Sequence, residues 1–394
     1  MFSPWMVAFH EGFGVFHRGM SAFGSAFHLK RRPGFHLGPP LAVCFCVLLL
    51  CSSCSRSKNL EFSRTDLMLG TVCRITIQAS PSERLDGEAV LDAAFSRLSD
   101  VEHRISRLLP DSELSLVNAQ AGVAPVVVSE DTFDIISTAF DYAKMTDGAF
   151  NPAIGPLVSL WGINTESAKV PTEQEIVQAL PLLDWRSVEL DESVRSVFLP
   201  MKGMSLDLGG IGKGYAADEV GAVLREMGVS SALINLGGNI LVIGTRMDGQ
   251  PWRIGLQDPA DERGIYFLTL SLADGTIVTS GPYERFFEKD GIIYHHILDS
   301  ATGRPAATHI ESVTMTGASS TSADALSTAV FVLGLDRSVA LLEELPGMDA
   351  VFLMDDGTIH MTDTLRDDSS RWRTATERYQ VVSLECPLED VLKE

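Results

Sequence analysis

Cysteine is scarce in this chain of 394 residues once its N-terminal stretch is set aside. Three of its six cysteines, Cys44, Cys46 and Cys51, fall in an apolar leader, and Cys54 closes it. Cys73 and Cys386 remain, too few for a disulfide framework or a zinc site, though one bridge between them stays open. Basic charge is also short. Thirty-one Lys and Arg against 52 Asp and Glu give −21, which argues against a nucleic-acid partner. The acidic excess suits simple solubility, and equally a protein that meets its substrate's charge with a metal. No stretch reaches the ~20 apolar residues of a spanning helix. There is no repeat of solenoid period, no G-x-S-x-G, and neither the Walker nor the dinucleotide glycine spacing. Hydrophobic residues at 45% and charged residues at 21% are ordinary for one large globular domain or two modest ones.

The N-terminus has what the rest lacks. Lys30, Arg31 and Arg32 precede an apolar run from Leu37 to Leu50, a signal peptide by charge and length. It ends at Cys51-Ser52-Ser53-Cys54, small residues before a cysteine, the pattern of a relaxed lipoprotein cleavage site. Cys54 is therefore the expected lipidated residue, with ordinary signal cleavage as the alternative. Residues 1–19 add nothing that a signal requires, so Met20 would serve equally well as a start. The expectation is a signal over 1–53, a tether over 54–65, and a periplasmic lipoprotein anchored to the membrane. Cleavage would leave 27 basic against 51 acidic residues, a formal charge of −24.

Along the remaining chain, apolar residues at helical spacing (Val90, Leu91, Phe95, Leu98, Val101, Ile105) predict an amphipathic helix over Gly87–Ile105. Further helices are expected at Asp131–Met145, Gly214–Met227, Ser322–Leu333 and Arg337–Glu344. Thr172 with Glu175 forms a capping box that opens another, reaching Leu180. Residues 147–164 carry Gly and Pro at intervals that read as a long ordered loop. Strands are expected at Thr71–Ile77, Val123–Val128, Ser187–Leu190, Val197–Leu199, Ala232–Leu236, Ile240–Ile243, Trp252–Leu256, Tyr266–Leu272 and Ile292–Leu298. Runs of neighbouring strands with few crossover helices point to an α+β fold with largely antiparallel sheet.

Three segments could carry chemistry. SLDLGGIGKGYAAD (205–218) places Gly209, Gly210, Gly212 and Gly214 where backbone can approach a ligand closely. Free N–H groups at the start of the following helix, with Lys213, would suit an anion. A structural strand-to-helix turn explains the glycines equally well. Asp324 and Thr328, four apart on the helix SADALSTAVFVL, share one face and offer hard oxygens suited to Mg²⁺. The alternative is a buried carboxylate acting as a cap-region acceptor and a threonine bonded back to a carbonyl. His296, in YHHILDSATGRP, is one of five histidines left after the leader and a candidate base near neutral pH. Its neighbour His295 points to the opposite face if the strand is regular, and a strand histidine can be purely structural.

Together with DSELSLVN (111–118), DGAFNPAIGP (147–156), LINLGGN (233–239) and TSGPYERF (279–286), these segments stand in an order that resembles the ApbE-type FAD:protein FMN transferases. The likeness covers about residues 66–335. It implies a single large catalytic domain over 66–363, Mg²⁺ as cofactor and FAD as substrate, while the polar stretch from Thr364 is read as a C-terminal tail over 364–394. It further implies that Asp324, Thr328 and the carbonyl of Gly210 hold the metal. Lys213 and Asp207 would contact FAD, with Ala149, Phe150, Asn151 and the backbone at Leu298. Ser280, Gly281 and Glu284 would line the flavin side, and His296 would activate the attacking hydroxyl. The implied products are AMP and FMN joined through its phosphate to a threonine of an acceptor flavoprotein, or free FMN when water attacks.

Two departures from the family pattern stand out. Ser300 replaces a common proline, which is expected to loosen a turn. Ser106, Arg107, Leu108 and Leu109 occupy a stretch where relatives often place an aromatic against the flavin, which would weaken FAD retention and favour hydrolysis. Two rival readings are a flavin-binding lipoprotein without turnover, which would not need both Asp324 and Thr328, and a solute-binding lipoprotein, which would normally show two α/β lobes.

Overall fold

The computed structural model describes residues 59–384. The leader, Cys54 and Cys386 lie outside the described residues.

Nineteen strands and nine α-helices follow one another among the described residues. The first strands are β1 (Leu60–Met68), β2 (Thr71–Ala79), β3 (Val126–Val127), β4 (Glu189–Asp191) and β5 (Ser196–Phe198). After them come β6 (Ala232–Leu236), β7 (Asn239–Ile243), β8 (Trp252–Gln257), β9 (Tyr266–Leu272) and β10 (Gly275–Ser280). Next stand β11 (Phe286–Lys289), β12 (Ile292–His295), β13 (Leu298–Asp299), β14 (Arg304–Pro305) and β15 (Ile310–Gly317). The last are β16 (Asp349–Met354), β17 (Thr358–Met361), β18 (Trp372–Thr374) and β19 (Gln380–Ser383). The helices are α1 (Gly87–Ile105), α2 (Glu113–Ala119), α3 (Glu130–Met145), α4 (Gly155–Trp161), α5 (Glu173–Ala179), α6 (Gly212–Glu226), α7 (Ser320–Leu333), α8 (Leu335–Glu343) and α9 (Asp363–Arg366).

Nine strands form one sheet in the order β1-β2-β6-β7-β10-β15-β16-β17-β19. Every neighbouring pair is antiparallel except β17 and β19. The α+β expectation with largely antiparallel sheet is met. Alternation along the central strands sends side chains to both faces. On β6, Ile234 and Leu236 join the core under α1 and α6, while Leu233 packs against a second cluster. That second cluster is closed by the three-stranded sheet β18-β9-β8, through Trp252, Ile254, Phe267 and Leu270. The main sheet is thus buried on two sides, and the helices that carry the candidate site lie on one of them.

The predicted helix over Gly87–Ile105 has those bounds, and the Thr172–Glu175 capping box is complete. Residues 147–164 depart from the expected loop, because Gly155–Trp161 is helical. Pro156 sits in the first turn, where its missing N–H costs nothing, and Gly162 at φ 57° ends the helix. Residues 60–65, read as tether, belong to β1, which pairs with β2 along its whole length. Residues 372–374 and 380–383, read as tail, pair with β9 and β17. The expected strand Ile292–Leu298 is broken: β12 ends at His295 and β13 begins at Leu298. Among the described residues Cys73 is a free thiol with no exposure, and burial pushes it up to about 11. Among the described residues no helix is long and apolar enough to cross a membrane.

Candidate active site

The site begins with two helices that lock each other. α7 starts at Ser319, whose hydroxyl accepts from Ser322 N, and it is buried along most of its length. Its first-turn donors, which a helix cannot satisfy internally, are met by Asp218 on α6. That carboxylate accepts from Ser320 N and Thr321 N, both at 2.9 Å, from Thr321 Oγ1 at 2.7 Å and from Ser319 Oγ at 3.1 Å. A return bond runs the other way, from Gly214 N to Asp324 Oδ2 at 2.9 Å. Gly214 has to be glycine because a Cβ there would lie 2.2 Å from Ser320 O and 2.8 Å from Asp324 Cβ. The helix start therefore differs from the sequence reading. The N–H of Gly214 is spent on Asp324 rather than free for an anion.

Asp324 is 3% exposed and faces one cation: Lys213 Nζ lies 3.1 Å and 3.4 Å from its two oxygens. Thr328 Oγ1 makes only a long bond, 3.5 Å, to Asp324 O. Both features of the structural alternative are thus present, yet the carboxylate's acceptor role reaches across to a second helix. Gly210 closes the group, for a Cβ on it would stand 3.2 Å from Thr328 Oγ1 and 3.1 Å from the Phe150 ring. One carboxylate, one hydroxyl and the nearby Gly210 backbone form a hard-oxygen set of the kind Mg²⁺ takes, and an ammonium already sits on the carboxylate. Among the described residues no group of three or more His, Cys, Asp or Glu could hold a metal.

Around this centre the loops are pinned by side-chain bonds. Asp207 Oδ1 accepts from Gly209 N at 2.8 Å, and Asp207 N donates to Pro152 O at 2.8 Å. Asn151 is buried, its amide donating to Leu183 O at 2.9 Å and accepting from Ala153 N at 2.8 Å, so it ties its loop to the turn at Leu183. Phe150 N donates to Thr146 Oγ1, and the Phe150 ring is 3% exposed. Ser280, at the end of β10, shares a 2.8 Å hydrogen bond with Ser327 of α7, whose hydroxyl also donates to Asp324 O. Gly281 stands close against the Tyr283 ring, while Glu284 is exposed and faces Arg263 at 3.4 Å. Ser300, expected to loosen its turn, also donates to Gly148 O at 3.1 Å, tying the segment after Leu298 to the 147–156 loop.

His296 falls in the break between β12 and β13 and is half-buried. Its backbone N–H donates to Arg285 O at 3.0 Å, and its Nδ1 lies 3.2 Å from the same oxygen. A carbonyl only accepts, so Nδ1 carries the hydrogen and Nε2 is left with a bare lone pair. Burial, the Arg285 charge and, less strongly, the Lys213 charge push the imidazole down to about 3. It is neutral throughout the physiological range. His295 is engaged elsewhere, with Nε2 against Ala306 O at 3.1 Å and its ring edge-on to Phe331.

The comparisons with known proteins bear on this geometry. The family described as the ApbE family matches residues 69–352. The chain belongs to the ApbE family. It is 41% identical over 330 residues to a protein of Treponema pallidum (strain Nichols) named FAD:protein FMN transferase, covering 80% of this chain and 91% of that one. A protein of the same name from Klebsiella pneumoniae (strain 342) is 37% identical over 326 residues, covering 83% and 98%. Among solved structures, the ApbE protein of Thermotoga maritima superposes with a TM-score of 0.72 at 32% identity, covering 78% of this chain and 98% of that one. The flavin transferase ApbE of Vibrio cholerae superposes at 0.68 with 28% identity, covering 75% and 94%.

Within this ApbE-family chain, contacts bring Phe150, Gly210, Lys213, Asp324 and Thr328 into one group, with Asp207 and Ser280 one residue removed. Sequence reading gave Asp218 no role. Its spacing of four from Gly214 was the available signal, since both then face α7. The carbonyl of Arg285, which sets the His296 tautomer, left no sequence signal because any residue supplies one.

Proposed function

We propose that this chain is an Mg²⁺-dependent FAD:protein FMN transferase. It splits FAD at the pyrophosphate, releases AMP, and joins FMN through its phosphate to a threonine of an acceptor flavoprotein. When water takes the place of the hydroxyl it hydrolyses FAD to FMN and AMP. The observation that carries the reading is Asp324, a buried carboxylate fixed by Gly214 N–H and placed with Thr328 and Gly210 beside Lys213. The curated relatives' shared name, FAD:protein FMN transferase, supports the same assignment.

Asp324, Thr328 and the Gly210 carbonyl would hold Mg²⁺, which when bound neutralises charge on the phosphate oxygens. Lys213 adds a second cation for the pyrophosphate. Ala149, Phe150, Asn151, Asp207, Ser280, Gly281, Glu284 and the Leu298 backbone form the rest of the FAD contacts. The Nε2 of His296 takes the proton as the threonine oxygen attacks the FMN phosphorus. The bond from that phosphorus to the bridging oxygen breaks, and AMP carries the oxygen away. Negative charge arriving with the pyrophosphate raises the affinity of His296 for that proton.

The lipoprotein expectation enters on the leader alone. Lys30–Arg32, the apolar run and Cys54 support a lipid anchor and a periplasmic location. The test of the activity is direct. Purified protein with FAD and Mg²⁺ should form AMP, EDTA should stop it, and added Mg²⁺ should restore it. FAD bound but never cleaved would leave a flavin-binding protein and defeat the proposal.

A further inference from the structure

Arg107 stands two residues beyond the end of α1, in the stretch noted for its missing aromatic. Its neighbour Leu108 is 80% exposed, whereas Arg107 turns inward. One guanidinium nitrogen, Nη2, donates to Ser159 Oγ on α4 at 2.6 Å, and Nε lies 3.4 Å from Asp207 Oδ2. The other Asp207 oxygen is held by Gly209 N. Asp207, in the loop that carries Gly210 and leads into α6 with Lys213, is therefore gripped at both oxygens.

The pairing has an electrostatic consequence. Two carboxylates, Asp207 and Asp324, belong to a site proposed to admit a dianionic pyrophosphate, and each has its own cation, Arg107 and Lys213. Without Arg107, Asp207 would repel the phosphates and keep only the Gly209 N–H as a fixed partner. We infer that Arg107 is a positioning residue for FAD: it neutralises Asp207 and aims its carboxylate at an N–H or O–H donor of the dinucleotide. This rests on the functional reading above. Arginine suits the role because a planar fork can reach Ser159 and Asp207 in two directions, which a lysine ammonium on its flexible stem does less well.

A double-mutant cycle tests it, with FAD affinity read by flavin fluorescence and turnover by AMP release. Arg107→Gln should weaken FAD binding by roughly tenfold or more, the worth of a charge-assisted contact. It should raise KM while kcat stays within about twofold, at a temperature where thermal melts show every variant folded. Asp207→Asn should weaken FAD binding as well, and Arg107→Gln added to it should cost nothing further, since the arginine acts through that carboxylate. Arg107→Lys should recover part of the loss. Unchanged FAD affinity in Arg107→Gln, or two losses that multiply in the double variant, overturns the inference. Wild-type protein that binds no FAD would overturn the functional reading, and this inference with it.

Discussion

Asp324 and His296 carry the two halves of the proposed chemistry, and the fold holds them in opposite ways. Asp324 lies in a buried helix whose start is clamped by four hydrogen bonds to Asp218, and its own carboxylate is bonded to Gly214 N and Lys213. His296 follows a two-stranded hairpin, β11–β12, whose Asp290-Gly291 turn has both residues at positive φ. Such a hairpin is marginal alone. It is steadied by Tyr294, which stacks on Phe287 at 5.3 Å and meets Trp161 at 5.6 Å, and one carbonyl, Arg285 O, orients the imidazole. The comparison teaches where tolerance lies. A carboxylate that must stay charged while buried needs several fixed partners, because an unpaired charge there costs far more than any one bond. A neutral base needs only its tautomer set, and one acceptor suffices.

Substitutions can break this contrast, and the largest effect is expected at Gly214. Gly214→Ala places a methyl 2.2 Å from Ser320 O, a backbone atom that cannot step aside without moving α7. Stability should fall by about 3 kcal/mol or more, at the upper end for overpacking, and AMP formation should vanish with it. A near-normal melting curve would show that α6 and α7 are not locked as described.

Asp324→Ala comes next and should spare the fold better than it spares activity. It removes the only carboxylate of the hard-oxygen set, so AMP release should drop below detection even at high Mg²⁺. Gly214 N and Lys213 lose a partner, so some stability should go too, read as a lower melting temperature. Retained turnover would make Asp324 structural.

His296→Ala sharpens the contrast from the other side. FAD binding should persist while AMP release falls about 10²–10⁴-fold, the usual worth of a positioned base. Loss of binding and turnover together would place His296 in the binding site instead. The pH profile adds a second reading. The His296 imidazole, pushed down to about 3, is neutral in the free protein, so the acid limb of kcat/KM from this group should lie well below pH 6.5. The phosphates of bound FAD raise it, so the kcat limb should sit at higher pH than the kcat/KM limb. For folding the sign is fixed: the unfolded chain takes up this proton first, so stability tied to His296 is lost as pH falls from about 6.5 towards 3.

The smallest effect is expected at Gly210, four residues before Gly214. An added Cβ would sit 3.1–3.2 Å from the Phe150 ring and Thr328 Oγ1, both side chains that can give by a few tenths of an ångström. Gly210→Ala should therefore change AMP release by less than about threefold, since only a slight shift is needed. A collapse like that of Gly214→Ala would mean the Phe150 loop is as rigid as the helix pair.

Much of this was legible along the chain, and the reason is local. Val90 to Ile105 repeats at helical spacing because the same turns must meet the core, so the bounds of α1 followed from periodicity. The Thr172–Glu175 cap is likewise complete within four residues. The segments naming the family, and within them Asp324, Thr328, Lys213 and His296, were also readable from residue types and order. The tertiary structure decided the rest. β1 carries Glu61, Ser63, Arg64 and Asp66 and becomes a strand through pairing with β2, not through an apolar pattern of its own. Arg107 finds Asp207 across a hundred positions, Gly214 finds Asp324 across 110, and Asp218 finds the start of α7 across 101 to 103. Periodicity records only which face of an element is buried. Which carboxylate meets which donor depends on how two elements are brought together, and that is set by the packing of the whole core.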